Sequence, residues 1–319
     1  MPKTIIEFKD FSFKYDSQAE PTLKQINLTI KQGEKLLIAG PSGSGKSTIG
    51  RCINGLIPNL DTGEITGECT INGKNIKDTN LFDLSFTTST ILQDTDSQFI
   101  GLTVGEDIAF ALENDCQPQN YMKQVVHRWA DELGIEHLLK QAPQNLSGGQ
   151  KQIVALAGVM VDESPILLFD EPLANLAPAS GMKTMALIDR IQKELNATVI
   201  IIEHRLEEVW SQPIDRIILI NDGEIVADKK PNDLLHENCL EDVGVRSPLY
   251  LNALKKANVD LTRIPDLTSV AALPQDPEIA KQLQEWQNNI TLSGEKEETH
   301  PLLELKGVGH RYSKLQIHP

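Results

Sequence analysis

The sequence predicts an α/β fold with a mainly parallel core sheet and helices on its faces. Three observations predict it. Short runs rich in Ile, Leu and Val recur at residues 35–39, 166–169, 199–202 and 217–220. Continuously apolar runs of that length fit strands buried on both faces. Segments of helical spacing separate most of them, and such alternation favours parallel pairing through crossovers. The first run also leads directly into a glycine-rich loop and a helix-forming segment from Lys46.

The elements follow in chain order. Phe11, Phe13 and Tyr15 recur at period two within residues 4–15, and Leu28 with Ile30 marks a second strand closed by the turn Lys31-Gln32-Gly33. Residues 105–160 become helical, with Met122, Val125, Val126, Trp129 and Leu133 on one apolar stripe that reads as core packing. After Asn221-Asp222-Gly223 a short strand over 224–227 precedes a helix opened by Pro231-Asn232-Asp233. The first domain is therefore expected over 1–240. Residues 241–300 are expected to be a partly helical segment and linker: Ile279, Leu283, Trp286 and Ile290 make a helical stripe, and 291–300 are polar enough for a solvated linker. The final residues 301–319 restate the beginning. Leu302-Leu303-Glu304-Leu305-Lys306 mirrors Ile5-Ile6-Glu7-Phe8-Lys9, and Arg311-Tyr312 mirrors Lys14-Tyr15 in the same register, the expected start of a second, truncated copy.

Composition narrows the function. Thirty Lys plus Arg against 45 Asp plus Glu leave a net charge of −15. A general nucleic-acid binder needs a basic face to replace counterions, so no nucleic-acid partner is expected. Cys52, Cys69, Cys116 and Cys239 lie far apart without a Cys-x-x-Cys pair, which argues against a zinc cluster or disulfide framework and fits a reducing compartment. No signal-peptide core is present, and no apolar stretch approaches the ~18 residues that a membrane-spanning helix requires.

Gly40-Pro41-Ser42-Gly43-Ser44-Gly45-Lys46-Ser47-Thr48 contains the phosphate-loop pattern Gly-x4-Gly-Lys-Ser. Glycines let consecutive amides curl into an anion-sized nest, and the following helix adds its positive end. Lys46 can reach outer phosphates and the Ser47 hydroxyl can ligate Mg²⁺. Downstream, the apolar run 166–169 ends in Asp170 and Glu171. Asp170 suits a role in holding Mg²⁺ through water, and Glu171 suits orienting or deprotonating an attacking water. A third motif, Leu146-Ser147-Gly148-Gly149-Gln150, lies between them, about 20 residues before that acidic strand end.

Taken together, these motifs resemble those of the ATP-binding cassette (ABC) ATPases, over residues 4 to about 240. The resemblance implies a P-loop ABC ATPase fold, with an N-terminal antiparallel β-subdomain and a helical subdomain that carries Ser147, Gly148, Gly149 and Gln150. It implies an aromatic adenine contact at Tyr15, a Mg²⁺- and water-contacting glutamine at Gln93, and a γ-phosphate contact at His204. It also implies ATP and Mg²⁺ as cofactors, and two cassettes that face head to tail, so that each ATP lies between the phosphate loop of one and the Ser147-Gly148-Gly149 segment of the other. One departure stands out. The family usually places Asp in the fourth position of Ser-x-Leu-Asp, whereas this chain reads Ala174-Asn175-Leu176-Ala177.

Residues 93–114 look like those of the energy-coupling-factor importers of vitamins, vitamin precursors, cobalt or nickel. Residues 203–209 and the segment Arg246-Ser247-Pro248-Leu249-Tyr250 resemble a subgroup with two cassettes in one polypeptide. The resemblance implies a second cassette, an integral membrane scaffold and a substrate-binding membrane subunit as partners, with the chain peripheral on the cytoplasmic side of the cell membrane. Phe99, Ile100 and Leu102 are expected to help form the groove for the scaffold. Two alternatives stand beside this reading: a low-turnover nucleotide-binding module, because Ala177 replaces the usual Asp, and a non-transport ABC ATPase.

Overall fold

The computed structural model describes residues 3–92, 98–174, 176–290, 304 and 306–309. The chain opens with β1 (Thr4–Tyr15), β2 (Leu23–Lys31) and β3 (Lys35–Ala39), followed by α1 (Lys46–Ile53) and α2 (Leu56–Asn59). Next come β4 (Gly63–Ile71), β5 (Lys74–Asn75), α3 (Leu81–Ser85) and β6 (Thr88–Ile91). Three helices follow, α4 (Val104–Asn114), α5 (Gln119–Glu132) and α6 (Gly148–Met160). The chain then alternates through β7 (Ile166–Asp170), α7 (Pro178–Leu195), β8 (Thr198–Ile202), α8 (Leu206–Val209), β9 (Arg216–Asn221) and β10 (Glu224–Lys229). It continues with α9 (Pro231–Leu235), α10 (Cys239–Asp242), α11 (Leu249–Lys256) and α12 (Pro277–Asn288).

Two sheets result. The core sheet has the order β10-β9-β3-β8-β7-β6, parallel except for the hairpin partner β10. The other is antiparallel, β2-β1-β4-β5. Every residue of β3 and β8 is buried, as their unbroken apolar runs require. Their side chains divide by parity. Leu37, Ala39, Phe169, Val199 and Ile201 face one core with the helices, whereas Leu36, Ile38, Leu168, Ile200 and Ile202 face a second core with α1 and the antiparallel sheet. Buried Lys35, at the head of β3, pairs with Asp189 of α7 and so locks a crossover helix onto the sheet.

The expected α/β class is the observed one, and the strands read from sequence are present. Three strands were not legible: β4, the two-residue β5 and β6. In β4 the alternation is broken, with Gly67 in left-handed backbone facing the Asp10 carbonyl; a Cβ there would lie 2.3 Å from that oxygen. In β6 the buried residues Thr88 and Ser89 are polar, and the Ser89 hydroxyl is satisfied by Ser164 at 2.9 Å. Hydrophobic patterning cannot detect such a strand.

Val126 and Trp129 of α5 are buried, and Met122, Val125 and Leu133 pack partly buried beside them. Apolar residues beyond α9, including Leu251, Leu254, Ile264 and Leu267, join the same core. His236 adds a polar tie: Nδ1 lies 2.8 Å from the Asn232 carbonyl and Nε2 2.9 Å from the Ile264 carbonyl. Two acceptors favour the ring with two donors, so its pKa is raised, chiefly through Asn232. Ile279, Leu283 and Trp286 of α12 also rest on this core. Ile290 departs from the expected stripe: it lies past the helix end and is 44% exposed. The linker 291–300 and most of the repeat, including Tyr312, lie outside the described residues.

Candidate functional site

Three strand ends of the core sheet assemble the site. Parallel strands β3, β7 and β8 all finish at one edge, where Ala39, Asp170 and Ile202 hand over to loops. Crevices at such carboxyl edges are where open α/β sheets place ligands.

The loop after β3 curls through glycines. Gly40, Gly43 and Gly45 have φ of 155°, 78° and 104°, and a Cβ on Gly40 would fall 2.1 Å from the Ile220 carbonyl oxygen. Gly45 caps α1 in left-handed backbone without any side-chain cap, so α1 offers its first-turn amides to an anion. Ser42, Gly43 and Ser47 are exposed, while Ser44, Gly45, Lys46 and Thr48 are buried. The Lys46 ammonium donates to the carbonyls of Gly40 (3.0 Å) and Pro41 (2.8 Å), which folds it over the loop. Burial lowers the Lys46 pKa, opposed by the charges of Glu171, Asp170 and Glu203. The Ser44 hydroxyl is buried with no hydrogen-bond partner. An open helix end, an unpaired buried hydroxyl and a partly desolvated ammonium all fit a polyphosphate.

Ser47 and Asp170 meet across the edge, with Oγ 3.4 Å from Oδ1. Burial raises the Asp170 pKa; the Ser47 contact lowers it, and neighbouring Glu171 raises it further. A hydroxyl beside a carboxylate that lacks solvation is a donor set suited to a hard divalent cation. Tyr15 approaches from β1, its hydroxyl 3.5 Å from the Thr48 hydroxyl and its ring edge-on to Phe13. Glu171 follows Asp170 with φ of 49°, and its amide donates to the Ile202 carbonyl at 2.8 Å. That bond ties the end of β7 to β8 and brings Glu171 Oε1 to 3.8 Å from His204 Nδ1.

Two neighbours of this cluster were given no role by the sequence reading. Glu203 is fully buried; its carboxylate accepts from the amides of Leu173 (3.2 Å), His204 (2.8 Å) and Arg205 (3.1 Å). Arg205 donates to the carbonyls of Leu173 and Leu176 and to Glu208. The available signal was a carboxylate placed at the end of an unbroken apolar strand, where a charge needs fixed donors.

The Ser147 segment stands apart. Ser147 caps α6 in a reciprocal box, accepting from the Gln150 amide (3.4 Å) while Gln150 Oε1 accepts from the Ser147 amide (2.9 Å). Gly148 and Gly149 have ordinary helical backbone, and a Cβ on Gly149 would meet nothing within 4 Å. Among the described residues, no hydrogen bond or ion pair joins this segment to the 40–48 loop. The structure thus brings together Tyr15, 40–48, Asp170, Glu171 and His204, but not 147–150. Gln93 lies outside the described residues.

Past β6, a groove of about 430 Å³ is lined by Leu81, Phe99, Ile100, Phe110 and Asp162 among others. Ile100 is 65% exposed and Leu102 82%.

Known proteins resemble this chain in sequence and fold. Residues 23–174 match the family model described as ABC transporter, and residues 237–310 match one described as ATP-binding cassette cobalt transporter. A putative ABC transporter ATP-binding protein of Lactobacillus johnsonii is 68% identical over 319 residues, 100% of this chain and 56% of the relative. One from Enterococcus faecalis is 54% identical over 98% of this chain and 55% of its own length. The chain thus spans about half the length of these curated relatives. Among solved structures, cbiO1 from Clostridium perfringens, described as part of the ABC transporter complex cbiONQ, is similar with a TM-score of 0.68. It is 29% identical over 79% of this chain and 99% of its own. The dimeric ATP-binding cassette MJ0796, in a post-hydrolysis state with ADP and Pi, gives a TM-score of 0.62 at 28% identity, over 71% of this chain and 98% of its own.

Proposed function

The chain belongs to the ATP-binding proteins of ABC transporters, and from that membership we propose that it binds ATP with Mg²⁺ and hydrolyses it to drive transport. Residues 1–240 are the proposed cassette, with 241–300 as bridge and linker and 301–319 as the start of a second copy. In this reading Gly40 to Thr48 hold the phosphates, Tyr15 contacts the adenine, and Ser47, Asp170 and Gln93 hold the cation. Mg²⁺ would neutralise charge on the outer phosphates. Glu171 orients and deprotonates water, and His204 contacts the γ-phosphate.

The observation that carries the reading is the pair of glycine-rich helix starts. The loop at 40–45 needs its glycines for its own backbone, but Gly149 sits in ordinary helix with open space around its α-carbon. A helical glycine without an internal reason costs up to about 1 kcal/mol. An external group that approaches the backbone closely supplies the reason: the nucleotide held by a second cassette. Each chain then furnishes half of each ATP site, so ATP joins the halves and hydrolysis releases them.

The transporter type proposed is an energy-coupling-factor importer of a vitamin, vitamin precursor, cobalt or nickel, with an integral membrane scaffold and a substrate-binding membrane subunit. The description matched by residues 237–310 and the likeness to cbiO1 support it. No helix among the described residues is long and apolar enough to cross a membrane. A peripheral place on the cytoplasmic face is the corresponding proposal, with the groove beside Phe99, Ile100 and Leu102 receiving the scaffold. One observation favours the low-turnover alternative. Ala177 occupies the N-cap of α7 and makes no side-chain bond there.

Steady-state ATPase measurement on the wild type and Glu171→Gln decides between the readings. The proposal expects a wild-type rate that falls at least about 100-fold in the variant while nucleotide still binds. Full activity in Glu171→Gln would remove the base assignment, and a wild type with no rate would leave the low-turnover module.

A further inference from the structure

We propose that Glu203 and Arg205 are positioning residues that clamp the turn after Glu171 to His204, so that the two sides of the reacting centre move as one unit. The inference rests on the proposed ATPase reading and concerns residues that the reading does not use.

The geometry is specific. Glu203 and Arg205 flank His204, and both reach the same turn. One Glu203 oxygen accepts the Leu173 amide, and the other accepts the amides of His204 and Arg205. That second oxygen also lies 3.2 Å from His204 Nδ1. Nδ1 can therefore carry the hydrogen towards Glu203, which leaves Nε2 as the unprotonated ring nitrogen. Arg205 holds the opposite polarity, with one guanidinium nitrogen donating to the Leu173 carbonyl at 2.5 Å and the Leu176 carbonyl at 2.9 Å. Glu208 accepts from the guanidinium at 2.5 Å and fixes its plane.

The turn is thus gripped through an amide and two carbonyls, by an anion and a cation one residue either side of the imidazole. A fully buried carboxylate costs several kcal/mol unless fixed donors compensate it, and here three backbone amides do so. The device bridges β7 and β8 just past their ends, where Glu171 already bonds to the Ile202 carbonyl. Displacement of His204 by an arriving or departing γ-phosphate would carry the 173–176 turn with it. The turn leads into Ala177, which lacks the family's carboxylate, so this backbone clamp supplies a link that does not depend on that side chain.

The test uses the full chain, with ATP as the probe. Glu203→Gln places an amide donor among backbone donors, Arg205→Ala removes the grip on the two carbonyls, and Arg205→Lys keeps the charge and part of the grip. The expected result is a split: kcat falls at least about tenfold in Glu203→Gln and Arg205→Ala while KM for ATP stays within about twofold. Arg205→Lys recovers a substantial part of the rate. A merely structural role would lower apparent kcat no further than the folded fraction, which thermal melting records, and would leave KM unchanged; a tenfold fall in fully folded protein exceeds it. If Glu203→Gln fails to fold, Arg205→Ala carries the decision alone, since its side chain is 18% exposed. Folded variants with kcat within twofold of wild type would overturn the clamp. A wild type without a Glu171-dependent rate would instead overturn the ATPase reading, and the two failures are distinct.

Discussion

The helix starts at Gly45 and Ser147 look alike in sequence, each a serine-and-glycine run before a helix, yet they are built in opposite ways. At α1 the cap is a left-handed glycine with no side-chain bond, and the loop bends through three glycines of positive φ. At α6 a serine and a glutamine satisfy each other's backbone, and the glycines have ordinary helical backbone. The first start is complete in itself: its lysine, hydroxyls and amides converge with Asp170 and Glu171. The second contains its own cap and an unobstructed surface. Glycine serves internal backbone geometry in the first case; in the second, external access is the role we propose for it.

The largest expected effect breaks the comparison at its internal side. Gly40→Ala puts a methyl 2.1 Å from the Ile220 carbonyl oxygen, so the loop or β9 must shift. A loss of about 3 kcal/mol or more in chemical denaturation is expected, with nucleotide binding lost as well. A variant as stable as wild type would mean that the loop tolerates another path.

Gly149→Ala tests the external side. The added methyl meets no atom within the chain, so denaturation should show an unchanged or higher stability, by up to about 1 kcal/mol. ATPase turnover should nevertheless fall at least about tenfold, because the methyl obstructs an approaching nucleotide. Retained turnover would deny that this helix start faces a ligand.

Asp162 sharpens the picture at the far end of α6. Burial pushes its carboxyl up to about 6, offset in part by the Ser89 hydroxyl at 3.3 Å. A folded pKa above the unfolded one means that the native state binds the extra proton. Stability therefore declines as pH rises from about 4 to about 6 and then levels. Asp162→Asn should abolish that slope and gain about 1–2 kcal/mol at neutral pH, the shift being discounted for a groove open to water. A pH titration of urea midpoints for both proteins checks it, and parallel curves would reject the assignment.

The smallest effect concerns a third helix start. Ala177 caps α7 without a side-chain acceptor. Ala177→Asp should add about 1 kcal/mol through an N-cap bond, read as a small rise in melting temperature. No rise would indicate that the position does not accept cap geometry.

Much of this site was legible because its chemistry is local in sequence. The loop at 40–48, the Asp170-Glu171 pair and the Ser147 segment each lie within a few residues, and the apolar runs of β3, β7 and β8 announce buried parallel strands. What was illegible depended on partners distant along the chain. The polar strand β6 is buried because Ser164 answers Ser89. Glu203 reads as one more acidic residue until the amide of Leu173 is placed against it.

By itself the sequence determined the α/β class, the phosphate loop and the set of candidate reacting groups, since periodicity and short motifs follow from backbone geometry alone. Only the tertiary structure decided that Lys46 folds over Gly40 and Pro41, that Ser47 faces Asp170 and that Glu171 stands near His204. It likewise decided which glycines the fold itself requires. Those outcomes depend on distances between strands far apart in the chain, and such distances exist only once burial has brought the strands into register.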